Sequence, residues 1–436
     1  MFSDFIINQL GFVSTIIDPD VYRRKSTYKD ARGNSVDYYE LLLVYVDDVL
    51  VVSKEPNAIM ERIGKSFRLK EGWNKPTSYL GAETFEHRRK NGAVCWALGS
   101  GKYVKNLIAQ VKEMLSEDGL ALRAIPKSNA AQEKIGPLHP DYKPELDTSP
   151  LLEARLHSRY QQIIGGLRWA VELGRVDINV DVAIMSQYLA APREGHLEAL
   201  YDIIRYLALK PDRRLLMSPG RLLVPDSVTE SFNRPTDWKE FYGEMKEEDP
   251  QGMPTPLGEA VKITAYLDAN HANNVVTRRS HTGILIFVNN SLIVQYSKKQ
   301  NTVESATFGA EMVAMRTARD LTVALRIKLK MFGVPIDGPA DFFCDNESVV
   351  KNTSIPTSVL AKKHNAVNYH IIRESAAAGI LRVAKIPTKE NKSDALTKIL
   401  PHYQRNYLLG TILYWPSEIR DPTTGVGSDE GNEPTR

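Results

Sequence analysis

Between residues 39 and 53 the chain reads YELLLVYVDDVLVVS, a run that from Leu41 to Val52 is apolar and β-branched but for Asp47 and Asp48. It is too hydrophobic for a surface helix and predicts two short buried strands joined at the two aspartates. Ile59, Ile63 and Phe67 then recur at helical spacing and predict a helix from Glu55 to Phe67. YLGAETFEHRRKNGAVCWAL predicts a hairpin turning at Asn91-Gly92, and Tyr103, Leu107, Val111 and Leu115 mark a helix over Lys102 to Leu115. Residues 116–150, rich in Pro, Ser, Asp and Lys, read as a linker. Two apolar stripes follow: Tyr160, Ile163, Ile164, Leu167 and Val171 within Arg159 to Leu173, and Leu197, Leu200, Ile203, Ile204 and Leu207 within His196 to Leu209. Both predict helices packed on helices. A proline-bearing stretch, 233–258, carries Glu244, Glu247, Glu248 and Asp249 and reads as a second linker.

Beyond it, strands are predicted at Ile263 to Asp268, His281 to Val288 and Leu292 to Tyr296, close enough for an antiparallel meander. A long helix from Thr307 to Phe332 leads to a strand at Asp341 to Cys344 and a short helix after Asn346. A helix from Asn365 to Ala378, a strand from Ile380 to Ile386 and a final helix near Lys392 complete a mixed sheet covered by helices. The chain therefore reads as multidomain, of α/β and α+β class: 1–115, a helical region over 116–260, a mixed α/β domain over 261–400, and a tail over 401–436, frayed from 417.

Composition narrows the field. With 436 residues, 42% hydrophobic and 25% charged, the chain is neither fibrous nor largely disordered. Cys95 and Cys344 are too few for a disulfide framework or zinc spacing and suit a reducing, cytoplasmic setting. No run of 18 apolar residues appears, so no membrane partner is expected. The net charge of +3 is uneven: residues 261–400 hold 19 Lys and Arg against 11 Asp and Glu, a net of +8. Such a block fits a polyanionic partner.

Four acids in that block sit where apolar patterning would not put them. Asp268 and Asp345 end apolar strands, Glu311 lies among Ala310, Val313 and Ala314 on the long helix, and Asp394 opens the last helix. Singly, Asp345 and Asp394 are explained as helix N-caps and Glu311 as a dipole partner. If the strand ends adjoin, four carboxylates converge with no local basic partner, and divalent cations such as Mg²⁺ or Mn²⁺ would relieve their repulsion. Two such ions about 4 Å apart support phosphodiester cleavage.

The strings YLDAN, SKKQNTVESATFGAEMVAM, CDNESVV, AKKHNAVNYHIIRES and IPTKENKSDALTK resemble, in order and spacing, the ribonuclease H domain of copia-type retrotransposon polyproteins. The resemblance implies that Asp268, Glu311, Asp345 and Asp394 hold two ions that cleave RNA in an RNA–DNA hybrid. It also implies that Lys298, Lys299, Gln300, Lys363 and His364 contact backbone phosphates. The loop PTKENKS lacks the histidine of cellular relatives, as is usual in the copia type, and Gly309 stands where the family commonly has a second glutamate.

LLLVYVDDVLVVSK likewise resembles the YxDD motif of reverse transcriptases, which would make Asp47 and Asp48 metal ligands in a palm. SRYQQIIGGLRWAVELGRVDINVDVAIMSQY resembles the helical thumb or connection region of the same enzymes. The palm's further aspartate, the fingers and the nucleotide-site glutamine fall before Met1 in that family, so the resemblance implies a truncated polymerase that is inactive alone. The competing expectation is a catalytically idle nucleic-acid-binding remnant, which would grip a hybrid without cutting it.

Overall fold

The computed structural model describes residues 1–69, 72–88, 94–233 and 237–414. The expected turn at Asn91-Gly92 and the expected tail from 417 lie outside the described residues.

Strands β1 (Val13–Ser14), β2 (Val21–Lys29), β3 (Ser35–Tyr45) and β4 (Asp48–Val52) form an antiparallel sheet in that order. Helices α1 (Phe2–Asn8) and α2 (Pro56–Ser66) bury Ile6, Leu10, Ile59 and Ile63 with Phe12, Tyr22 and Leu42. The apolar run at 39–53 is therefore covered on one face, not two. Leu42 is fully buried, whereas Tyr45 and Val52 are exposed.

Strands β5 (Ser78–Tyr79), β6 (Ala82–Arg88) and β7 (Val94–Gly99) start a second sheet. Helix α3 (Gly101–Glu117) packs with α4 (Ala154–Glu172), α5 (Asn179–Met185) and α6 (Glu194–Leu209) around Val104, Val111, Tyr160, Leu167, Leu200 and Ile203. A Cβ on Gly166 would stand 2.6 Å from Leu107 Cδ1, so glycine lets α3 and α4 close together. Strand β8 (Arg214–Met217) then pairs with β7.

The stretch expected as a second linker is docked instead. Glu247 pairs with Arg326 at 2.6 Å and Lys330 at 2.9 Å, and Asp249 with Lys330 at 2.8 Å. The Arg373 guanidinium lies 4.9 Å from the Trp238 ring centroid.

Strands β9 (Ile263–Asn270), β10 (His281–Val288) and β11 (Ser291–Lys299) form the expected meander. After helix α7 (Thr307–Met331), β12 (Ala340–Cys344) adds parallel to β9. Helices α8 (Glu347–Ser354) and α9 (Ala366–Ala377) precede β13 (Leu381–Lys385), parallel to β12, giving the order β11-β10-β9-β12-β13. α7 packs Phe308, Met312, Met315 and Ala318 against this mixed sheet.

Two expectations fail at the C-terminal end. The element at Lys392 is a five-residue 3-10 turn, Lys392–Leu396, not an α-helix. The segment from 401 is no tail through residue 414: helix α10 (His402–Leu409) is followed by β14 (Leu413–Tyr414), which pairs with β8. Arg405 on α10 is fully buried and ion-paired with buried Asp181 of α5. The second sheet, β14-β8-β7-β6-β5, thus draws on three of the four predicted segments. Among the described residues no helix is long and apolar enough to cross a membrane.

Candidate metal centre

Local geometry brings the four acids of the mixed sheet together. β12 pairs with β9 as Phe343 with Tyr266, and continuing that register carries Asp345 level with Asp268. Ala269 of β9 meets Ala310 and Ala314 of α7, small side chains that let Glu311 approach the end of β9. Gly283 of β10 lies opposite Asp268. A Cβ there would sit 2.7 Å from Thr397 Cγ2, 2.8 Å from the Ser393 carbonyl oxygen and 2.9 Å from Leu396 Cβ. The missing side chain lets the 3-10 turn lie on the sheet and deliver Asp394. Asn391 anchors that turn, its Nδ2 donating to the Leu267 carbonyl at 3.0 Å.

Carboxylate oxygens of Asp268, Asp345 and Asp394 lie within 4.8 Å of one another. Glu311 joins them from the first turns of α7, buried and close enough for the charges of Asp268 and Asp345 to act on its carboxyl. The capping explanation for two of these acids does not hold. Asn346 caps α8, accepting from Ser348 and Val349 N–H, and Asn391 caps the 3-10 turn, accepting from Ser393 N–H. Asp345 and Asp394 are left free for the shared space.

Crowding sets the electrostatics. Burial, with the charges of Asp268 and Asp345, pushes the Glu311 carboxyl well above the ordinary glutamate range. Burial and Asp268 raise Asp394 to about 7, and the same two causes raise Asp345 against a hydrogen bond from Thr388.

The expectation of no basic partner is corrected by Lys398. Its Nζ lies 3.0 Å from Asp394 Oδ1 and 3.5 Å from Asp268 Oδ2. The Thr397 hydroxyl donates to Asp268 Oδ2. The signal for Lys398 was present in the sequence, since it follows Asp394 by four residues within KSDALTK.

The other expected residues divide. Lys298, Lys363 and His364 are exposed, and His364 Nε2 lies 3.6 Å from Glu304 Oε2. Lys299 is half-buried, its ammonium pKa lowered by burial and by Arg279. Gln300 differs from these lysines in being drawn into the fold. It is buried, and its Nε2 donates to Thr282 Oγ1 and the Ala310 carbonyl, both at 2.9 Å, tying β11 to the turn of α7 that carries Glu311. Asp47 and Asp48 are exposed at the β3–β4 turn, where Val46 has φ 55°. Among the described residues they join no third metal-ligating side chain.

Hard carboxylate oxygens in this number suit Mg²⁺ or Mn²⁺. Cys344 is near, with Sγ 4.0 Å from Glu311 Oε2, but burial and the adjacent carboxylates raise its thiol pKa well above the ordinary value and keep it protonated.

No family model matches the chain. It is similar to the retrovirus-related Pol polyprotein from transposon RE1 of Arabidopsis thaliana, 24% identical over 90% of this chain and 22% of the relative. The corresponding polyprotein from transposon TNT 1-94 of Nicotiana tabacum is 25% identical over 92% of this chain and 26% of the relative. The chain thus spans about a quarter or less of the length of these relatives. Among solved structures, LC11-RNase H1 in complex with an RNA/DNA hybrid matches 31% of this chain and 94% of its own, at 19% identity and a TM-score of 0.24. RNase H1 from Halobacterium salinarum matches 31% and 94%, at 13% identity and a TM-score of 0.25.

Proposed function

From the premise that this chain is a homologue of retrovirus-related Pol polyproteins of copia-type transposons, we propose that its C-terminal domain is a ribonuclease H acting on the RNA strand of RNA–DNA hybrids. One observation carries the reading: Asp268, Asp345 and Asp394 converge within 4.8 Å, with the buried Glu311 carboxyl beside Asp268 and Asp345. Those four carboxylates would hold two divalent ions. When bound, the ions supply a water nucleophile at neutral pH and stabilise the leaving oxygen. The protein's own part is to fix the acids on two strand ends, a helix and a 3-10 turn, and to present cations to the hybrid backbone. Exposed Lys298 and Lys363 are the side chains proposed for those phosphates.

In the same proposal residues 1–115 derive from a polymerase palm and 116–260 from the helical region that follows it. Among the described residues Asp47 and Asp48 join no third metal-ligating side chain, and two-ion nucleotide transfer needs a further carboxylate, so no polymerisation is proposed for them here. A second reading, binding without cleavage, draws on the Lys398 ammonium seated between Asp268 and Asp394.

Incubating the full chain with a labelled hybrid in Mg²⁺, in Mn²⁺ and in EDTA separates the two. Cleavage that needs the cation and is lost in Asp345→Asn is the expected result. Equal cleavage by that variant refutes the assignment, and tight, salt-sensitive binding without any cleavage favours the second reading.

A further inference from the structure

Lys398 is the one feature of the acidic centre that a set of metal ligands does not call for. Its Nζ stands 3.0 Å from Asp394 Oδ1 and 3.5 Å from Asp268 Oδ2, with Thr397 next to it in sequence donating to the same Asp268 oxygen. The side chain is 34% exposed, so it is neither locked in the core nor free in solvent. On its open side it borders a groove lined by Asn270, Arg279, Lys299 and Tyr142, three of them on the mixed-sheet domain and Tyr142 on the segment before α4.

A divalent ion held by Asp268 and Asp394 would draw on the same two carboxylates that Lys398 now contacts. An ammonium and a divalent ion beside the same pair of carboxylates repel each other. That repulsion works against Lys398 keeping both contacts while such an ion is present. The groove gives it somewhere to go. Lys143, Arg279 and Lys299 also line that groove against one carboxylate, Glu145, which already accepts from the Val275 N–H, so the displaced ammonium is held best there when a further anion meets it.

Resting on the two-ion reading above, we propose that Lys398 is a built-in counter-cation: it closes the centre while no ion is bound, yields its place to the ion that bridges Asp268 and Asp394, and moves to the phosphate backbone of the hybrid in the groove. Loading of that ion and binding of the hybrid are then coupled, each strengthening the other, because the hybrid offers the ammonium a new partner. The device would keep the bridging ion weakly held until substrate arrives.

The test measures Mn²⁺ uptake by the full chain, from the electron paramagnetic resonance signal of free Mn²⁺, for the wild type, Lys398→Met, Lys398→Gln, Lys398→Arg and Asp268→Asn. Melting temperatures in EDTA are recorded for the same set. The neutral variants should bind the weaker ion about tenfold more tightly than wild type. They should also melt lower in EDTA, where the acids have lost their counter-cation, and Lys398→Arg should track the wild type in both. This crossed pattern, tighter ion and weaker ion-free fold, is one that a merely structural lysine would not produce. Using both Met and Gln guards against one variant misfolding. Unchanged or weaker Mn²⁺ affinity in the folded neutral variants, with normal uptake by wild type and loss in Asp268→Asn, overturns the counter-cation alone. No uptake by wild type, either alone or with an RNA–DNA hybrid present, overturns the two-ion reading and the counter-cation with it.

Discussion

Arg405→Met should destabilise the protein by about 3–5 kcal/mol, a large share of the roughly 5–15 kcal/mol that separates folded from unfolded chains. Arg405 has no solvent exposure, and its guanidinium donates through Nη1 to Asp181 Oδ2 and the Asp177 carbonyl and through Nη2 to Asp181 Oδ1 at 3.3 Å. Asp181 is equally buried. Removing the guanidinium strands that carboxylate, and the cost comes from the uncompensated charge more than from the lost contact. Neighbouring cations do not substitute. Arg175 is engaged by Asp177 at 2.8 and 2.9 Å, and Arg213 by Asp177 at 3.5 Å and Asn406 at 2.7 Å. If that account is right, removing both charges in Arg405→Met with Asp181→Leu should cost only about 1–2 kcal/mol, chiefly the unpaired Asp177 carbonyl. Urea unfolding followed by circular dichroism, at unchanged m-value, reads both numbers. A single-variant loss below about 1 kcal/mol, or a double variant less stable than the single, would refute the reasoning.

Three further outcomes follow from the centre itself. Gly283→Ala should lift the 3-10 turn from the sheet, costing about 1–3 kcal/mol and weakening Mn²⁺ binding together, because the new Cβ meets the Ser393 carbonyl at 2.8 Å; melting and a Mn²⁺ titration check it. Asp394 titrates at about 7, so a cation must displace its proton below that pH. The Asp394 proton alone should make Mn²⁺ bind about tenfold more weakly at pH 6 than at pH 8, with the raised Asp345 and Glu311 carboxyls adding to that linkage, and calorimetry can measure it. Ion-free stability runs the other way: a raised carboxyl favours the folded state fully below the ordinary aspartate value of 3.8, and that contribution is lost as pH climbs to about 7. Asp47→Asn should leave hybrid cleavage unchanged and shift stability by no more than about 0.5 kcal/mol, since the side chain is exposed at a turn.

What could be read in advance was what depends on near neighbours in sequence. The β9 to β13 strands and the α7 helix follow from local alternation and helical stripes, and the four acids stood out because each interrupts an apolar pattern. Contacts between distant segments were not legible. HYQRNYLLG looks like a polar tail, and Arg405 becomes an interior residue only because Asp181, 224 positions earlier, is folded against it. Gln300 follows two lysines and so was grouped with them, although β11 ends at Lys299 and the next side chain turns inward to Thr282 and Ala310. The run at 39–53 overstated burial, since an apolar strand reads alike whether one or both of its faces are covered. Asn346 and Asn391 took the capping positions that might equally have gone to the aspartates beside or near them, a choice made by side-chain geometry that composition does not record.

The sheet closed by β14 also dictates a schedule for synthesis. β8 has a finished neighbour in β7 as soon as residue 217 clears the ribosome, but its other edge stays bare for nearly two hundred residues until Leu413 and Tyr414 arrive. An open edge of that kind is where a nascent chain pairs with the wrong partner. Ribosome-stalled chains ending before residue 402 should therefore be far more prone to aggregate than those extended past 414, even though the acidic centre has already been translated in full.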